Sequence, residues 1–315
     1  GDLLRHSVLT MAREWQKKGY VTEDFLAWLG DETQVSFPWT MIDKITPRPS
    51  DAIAADLEAL GVEDMAPVIT SKRTYIAPFI NAEQPQYLVI EDRFPNGRPE
   101  LEKGFGVYLA DRATVNLSER MKVTACLNPV HSATGPVGVV LGEELYAKML
   151  NTNPDMMKMA RMVAYDEGLP MVEDPRILSP KAFTDELPNE YLGDTNLRLA
   201  TDTSQGVGVR FGETIKAYMK KYGSAERLTA IPLGIAGWLR YMLGVDDMGN
   251  TYELAPDPMV PEIQAALSSV VFGNPESLTD QLHPILSNEK VFFIDLYKAG
   301  LGEKIEGMFR EMING

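Results

Sequence analysis

Apolar residues return every three or four positions along the opening of the chain. That spacing predicts helix over residues 2–29, with Leu3, Leu4, Val8, Leu9 and Met11 on one side. A second short helix is marked at "TEDFLAWLG", where Thr22 supplies a cap and Phe25 to Leu29 an apolar face. The stretch "SFPWTMIDKITPRPS" (36–50) has the Pro and Thr content of a loop, and Ser50 then caps a helix closed by Gly61. Between 66 and 110 the pattern shortens to strand-like runs, "APVIT", "TYIAPF", "QYLVIED" and "GVYLA", interrupted by the turn segment "RFPNGRPE". From 119 onward the spacing is helical almost throughout. It predicts helices near 129–150, 154–167, 180–191, 195–205, 211–222, 226–243, 259–270, 275–281, 288–300 and 302–313. The expected fold is mainly α, a multi-helix domain with a small β layer near residues 66–110. Its division is into 1–118 (entry helices, loop and β layer) and 119–315 (the helical part), expected as one compact unit.

Two glycine-bearing segments, "GFGVYLA" and "GVGVRFG", lack GxGxxG spacing at a strand-to-helix turn and carry no dinucleotide signal. Net charge is −15 over 315 residues, which opposes sequence-independent binding to nucleic acid or to an anionic membrane surface. A small anionic substrate stays compatible, because a few Arg or Lys side chains act locally against the global field. The single cysteine, Cys126, excludes an internal disulfide, reads as buried packing, and favours a cytoplasmic home. Three scattered histidines without an HExxH pattern offer no zinc site, and no metal is expected. No run of 18 apolar residues is present.

The segment "ERMKVTACLNPVHSATG" (119–135) concentrates chemistry. A lysine shielded from water has its pKa lowered and acts as acid or base. An asparagine amide holds developing alkoxide charge, and a histidine orients a hydroxyl. Asn128 and His131 are three apart and share a helix face. Lys122 lies nine residues before His131, half a rotation away on a straight helix. Pro129 cannot bond to the carbonyl of residue 125 and clashes there, which disfavours a straight helix through 125–129. Either the helix begins at Pro129 with Asn128 as cap, or a bulge absorbs one residue; both bring Lys122 toward His131. Spacing alone is also met by a plain cap, an ordinary helix histidine and a solvated lysine.

Four motifs in order over about 170 residues carry a resemblance: "FPWTMIDKITP" at 37–47, "YLVIEDRFPNGRP" at 87–99, "KVTACLNPVHS" at 122–132 and "RLATDTSQG" at 198–206. They resemble the C-terminal domain of the mannitol dehydrogenase family, the long-chain polyol and hexuronate dehydrogenases, and are nearest in type to its fructuronate reductases. The resemblance implies a Rossmann-type domain upstream, so that this chain looks like a C-terminal portion without its N-terminal Rossmann domain. That fits a chain opening in mid-helix. It implies NAD or NADP as cofactor, bound mainly by that other domain, and a small-molecule sugar acid or polyol as partner, and it leaves room for an oligomer.

Residue by residue, the resemblance places the metal-independent acid/base on Lys122, proton passage on Glu119, the oxyanion-holding amide on Asn128 and the substrate-orienting imidazole on His131. Substrate contacts fall on Asp43 and Arg198. Three departures stand out. One extra residue separates Lys122 from Asn128. Gly206 stands where many relatives have a substrate-binding lysine, and nearby Arg210 is the candidate to replace it. Trp39 and Lys44 replace the commoner Asn and Arg. The implied function is interconversion of a keto-hexuronate and its aldonate (fructuronate and mannonate) by hydride transfer, the isolated chain being inactive alone. A mannitol 2-dehydrogenase-type reaction is the runner-up. A non-enzymatic helical binding module, whose early strands pair with a partner, is the reading from a different class.

Overall fold

The computed structural model describes residues 1–42, 49–80, 87–185 and 195–315. Contacts between residues cluster into two compact units, Gly1–Val115 and Asn116–Gly315.

The first unit contains, in chain order, α1 (Asp2–Lys17), α2 (Glu23–Gly30), β1 (Thr40–Met41), α3 (Asp51–Ala59), β2 (Val68–Ile69), β3 (Tyr75–Ile76), β4 (Leu88–Glu91) and β5 (Val107–Ala110). The expected caps are present: Thr22 accepts from the Phe25 N–H and Ser50 from the Ile53 N–H, each satisfying one of the open donors of a first turn. Gly61 takes a left-handed φ of +86° just after α3. The apolar face of α1 is narrower than its sequence implies. Leu9 and Ala12 pack with Leu29, Phe25 and Leu26 of α2, whereas Leu3, Leu4 and Met11 are 78%, 59% and 51% exposed. An eight-residue helix spans only about 12 Å and covers one end of α1.

The four strand-like runs all form strands, though shorter than their apolar pattern. β2 and β3 make an exposed antiparallel hairpin with Val68 opposite Ile76. The loop expected over 36–50 contains β1, which runs antiparallel to β4 (Met41 opposite Val89). β4 runs parallel to β5 (Leu88 opposite Val107, Glu91 opposite Ala110). Glu91 closes this sheet: its carboxylate accepts from the Trp39 N–H and from Arg112 Nε, both at 3.0 Å. Burial pushes that carboxyl up, and the Arg112 and Trp39 donors outweigh it, leaving it below the ordinary range. Trp39, one of the departures noted in the sequence, lies under the Arg112 guanidinium at 4.9 Å. In "EDRFPNGRP", Arg98 grips Asp92 with two bonds of 2.7 and 3.0 Å, folding the turn segment on itself.

The second stretch of helices begins with α4 (Arg112–Arg120), followed by α5 (Asn128–Val140), α6 (Tyr146–Thr152), α7 (Pro154–Arg161), α8 (Pro180–Asp185), α9 (Asn196–Leu199), α10 (Thr203–Val207), α11 (Glu213–Tyr222), α12 (Ala230–Tyr241), α13 (Val260–Ala266), α14 (His283–Leu286), α15 (Glu289–Phe292) and α16 (Gly302–Asn314). Among the described residues, three segments between them are π-helical: Met121–Cys126, Met162–Gly168 and Gly208–Gly212. The centre of this unit is α12, apolar on nearly every side and therefore core rather than surface. It crosses α5 at small residues. A Cβ on Gly234 would stand 2.7 Å from the Ala133 Cβ, and one on Gly237 would stand 2.3 Å from the Val137 Cγ2.

Several predicted helices are shorter than their spacing implies. The run at 129–150 breaks at Gly142, whose φ is +73°, and continues as α6. The segment at 195–205 is divided between α9 and α10. The segment at 275–281 is a single 3-10 turn over Pro275–Ser277. The one at 288–300 stops after α15, where Phe293 takes a φ of 61°. Apolar spacing persists through these breaks because the chain stays on the core while its hydrogen bonding changes.

Candidate active site

Pro129 decides the local backbone. Having no N–H and a ring that clashes with the carbonyl four residues back, it cannot sit in an unbroken helix continuing from α4. The chain widens into the π-turn Met121–Cys126, in which the Leu127 N–H reaches back five residues to the Lys122 carbonyl at 3.2 Å. Leu127 then leaves helical geometry (φ −127°, ψ −65°) and α5 starts at Asn128. Of the two arrangements open at the sequence level, the bulge is the one adopted, and Asn128 is the first helical residue rather than the cap.

The turn carries Lys122 inward. It is 1% exposed, and its Nζ lies 5.5 Å from the centre of the Phe183 ring, close enough for a cation–π contact. One turn into α5, His131 is 5% exposed. The Tyr146 ring meets it edge-on at 5.2 Å and 86°, and Thr134 links Tyr146 back to α5 through 3.2 Å and 2.7 Å bonds. Burial, followed by the positive charges of Arg210 and Lys122, drives His131 down from its ordinary 6.5 to about 3. The imidazole is therefore neutral at physiological pH. A neutral ring has one N–H donor and one acceptor nitrogen, the combination that orients a hydroxyl group.

Arg210 comes from the π-turn Gly208–Gly212, and its Nη1 donates to Ser132 Oγ at 2.7 Å, beside His131. Lys122, His131, Ser132 and Arg210 are thus brought into one neighbourhood, with two cations acting on one neutral imidazole inside a chain of net charge −15. Asn128 is half-buried at the start of the same helix. Glu119 is exposed on the last turn of α4, three residues before Lys122. Arg198 is exposed on α9, a helix that meets α5 through Leu199 at Gly135 and Asn196 at Gly138. Asp43 and Lys44 lie outside the described residues.

The π-turn Met162–Gly168 supports the one that bears Lys122. A Cβ on Gly168 would lie 2.5 Å from the Ala125 carbonyl oxygen, so the backbone of Met162–Gly168 abuts the turn that bears Lys122. Its Glu167, 5% exposed, accepts from the N–H groups of Thr229, Ala230 and Ile231 at 2.6, 2.7 and 2.8 Å. These are open donors at the start of α12, a place that favours negative charge. Burial pushes this carboxyl up, against the pull of the three donors and of Lys304. Glu167, Ser132, Tyr146 and Phe183 are members of the site or its frame that sequence reasoning did not single out. For Glu167 the sequence offered only an acidic pair, Asp166–Glu167, before a glycine.

Cys126, next to the kink, is fully buried, and burial raises its thiol to about 11. On the outer side of the Lys122 turn lies a polar cavity of about 390 Å³, lined by Arg120, Thr124, Glu213, Thr214 and Lys220 among others. None of Lys122, Asn128, His131 or Arg210 lines it. Among the described residues no helix is long and apolar enough to cross a membrane.

Comparison with known proteins places the chain in a family. The model of the mannitol dehydrogenase C-terminal domain matches residues 115–312. The D-mannonate oxidoreductase of Thermotoga maritima is 50% identical, over all of this chain and 59% of its own length. That of Escherichia coli is 32% identical, over 76% of this chain and 45% of its own. Among solved structures, the ternary complex of Pseudomonas fluorescens mannitol 2-dehydrogenase with NAD and D-mannitol is similar in fold, with a TM-score of 0.67 and 23% identity over 98% of this chain and 56% of that one. The chain thus spans about half the length of the relatives it matches.

Proposed function

Because this chain belongs to the mannitol dehydrogenase family, we propose that it is the substrate-handling part of an NAD- or NADP-dependent oxidoreductase that interconverts a keto-hexuronate and its aldonate. The observation that carries the reading is the wholly buried Lys122 on its π-turn, sharing a neighbourhood with His131 and Arg210. Full-chain similarity at 50% identity to a D-mannonate oxidoreductase supports the sugar-acid substrate.

The nicotinamide cofactor supplies or takes the hydride. Among the described residues no glycine-rich strand-to-helix turn offers a cradle for its pyrophosphate. β5 passes to α4 through Asp111, and Gly206, Gly208 and Gly212 lie along a helix and its π-turn. In this reading the dinucleotide is held mainly outside this chain, and this chain's own side chains handle substrate and proton. In reduction the Lys122 ammonium donates its proton to the oxygen of the reacting carbon; in oxidation the neutral amine accepts the hydroxyl proton. Asn128 steadies the oxyanion through its amide N–H. His131, neutral, fixes a neighbouring hydroxyl. Glu119, exposed one turn from Lys122, passes the proton to solvent. Asp43 and Arg198 read further hydroxyls, and Arg210 the acidic end. A cytoplasmic location belongs to the same reading.

The test is Lys122→Ala in the full-length gene product, assayed with D-mannonate and NAD. Turnover is expected to fall by about 10²–10⁴-fold, the usual worth of a positioned acid/base, while cofactor affinity holds within a few-fold. Equal losses in turnover and cofactor binding would sink the role assigned to Lys122.

A further inference from the structure

The segment "GVGVRFG" has no role as a phosphate loop, yet its glycines are spent on close approaches. A Cβ on Gly208 would stand 2.6 Å from the Val291 carbonyl oxygen, and one on Gly212 would stand 2.0 Å from that of Phe292. These two contacts press the π-turn against the backbone of α15. Gly206 differs: what a Cβ would meet there is the Arg210 side chain, with Cζ and Nε at 2.9 Å and Nη1 at 3.1 Å. The guanidinium thus lies flat on the glycine, four residues along from it, and in that pose Nη1 donates to Ser132 Oγ at 2.7 Å. On an unbroken helix residues four apart are neighbours on one face. The π-turn that begins at Gly208 alters that relation, and the missing side chain at 206 opens the room the fork occupies.

We propose that Gly206 is a specificity-determining residue: by leaving the surface under Arg210 bare, it seats the guanidinium beside Ser132 and His131 as a fixed receptor for a substrate carboxylate. The inference rests on the sugar-acid reading above and deepens it. A planar guanidinium matches a carboxylate in two parallel bonds when its plane is held, and the bare helix surface together with Ser132 holds it. Ser132, which Arg210 bonds, is the next residue to His131 in α5, so a carboxylate on Arg210 sits near the imidazole.

Gly206→Ala is a mild probe. The atoms in its way belong to the far end of a flexible side chain, so the guanidinium lifts by about 0.5 Å to reach ordinary contact distance while the helix keeps its course. D-mannonate and D-mannitol differ only in a carboxylate against a hydroxymethyl group and serve as the substrate pair, assayed with the full-length gene product. Gly206→Ala is expected to lower the kcat/KM ratio of mannonate to mannitol at least tenfold, with the loss carried by KM for mannonate. Arg210→Lys, which keeps the charge and removes the fork, is expected to do the same. Proportional losses for both substrates in either variant, or an unchanged ratio in a folded variant, overturn the role of Gly206. Wild-type protein that oxidises mannitol and not mannonate overturns the sugar-acid reading itself, and the inference with it. Should Gly206→Ala fail to fold, Arg210→Lys tests the guanidinium as receptor, and an unchanged ratio there overturns the proposal.

Discussion

Removing one charge from Glu167 while keeping its shape should loosen the scaffold on which the site is built. The carboxylate is 5% exposed and serves three backbone N–H groups at once, Oε1 taking Thr229 and Ala230 and Oε2 taking Ile231. In Glu167→Gln one oxygen remains and can keep two donors, while the amide NH₂ is set against the third. The lost bond to a charged acceptor is worth about 1.5–3 kcal/mol, and a buried N–H without a partner costs roughly 1–3 kcal/mol. Relief from burying a charge offsets part of this, leaving a net loss of about 2–4 kcal/mol. In a 200-residue unit each kcal/mol moves Tm by about 2–4 °C, so the midpoint expectation is a drop of about 6–12 °C for Asn116–Gly315. Glu167→Ala, which strands all three donors, should cost at least about 1 kcal/mol more. Thermal melts followed by circular dichroism give the total. Hydrogen exchange over 226–243 gives the location, with faster exchange expected at Thr229, Ala230 and Ile231. A Gln variant within about 0.5 kcal/mol of wild type, with those amides still protected, would show that the carboxylate does not anchor α12.

His131 should leave a mark on pH dependence. Its folded value of about 3 lies below the ordinary 6.5, so on acidification the unfolded chain takes up this proton first. Stability present above pH 6.5 is lost as pH falls toward 3, at up to about 1.4 kcal/mol per pH unit. Urea midpoints at pH 7, 5.5 and 4.5 should therefore fall less steeply in His131→Gln than in wild type, and equal slopes would count against a buried neutral imidazole. Arg240 is 1% exposed and donates to the carbonyls of Val245 and Met312 and to the Asp247 carboxylate. Arg240→Lys, which lacks the fork, should lose about 2 kcal/mol or more in the same melts; a neutral result would mean that these bonds are replaced without cost.

How far the chain could be read from its letters depended on where each instruction lies. Caps at Thr22 and Ser50 are local, a polar side chain beside the first turn it serves, and both are present. Pro129 declared a break from its own ring chemistry, and the bulge it allowed is the π-turn that brings Lys122 round. The pairing of β4 with β5 was not legible in direction, because a period of two describes faces and not partners. β1 was missed, being two residues inside a Pro- and Thr-rich segment. The start of α12 was placed at 226 by spacing and lies at Ala230, where its open N–H groups meet an acid more than sixty residues earlier in the chain. No window around Thr229 contains Glu167. The same holds for the edge-on contact of Tyr146 with His131 and for the reach of Arg210 to Ser132: each joins segments whose meeting depends on the packed helices between them.

The wide turns have one more consequence, which is angular. A residue of α-helix advances the chain by about 100°, so each π-turn works as a phase shifter, rotating everything after it by one such step without lengthening the helix much. Met121–Cys126 sets the azimuth of Asn128 and His131 relative to Lys122, and Gly208–Gly212 sets that of α11 relative to α10. Gain or loss of a single residue at such a turn is then a change of aim rather than of fold. The neighbouring helices keep their places while one face of α5 is turned toward, or away from, the lysine that precedes it. Chains of this architecture thereby have a means of re-pointing reactive groups that substitution alone does not offer.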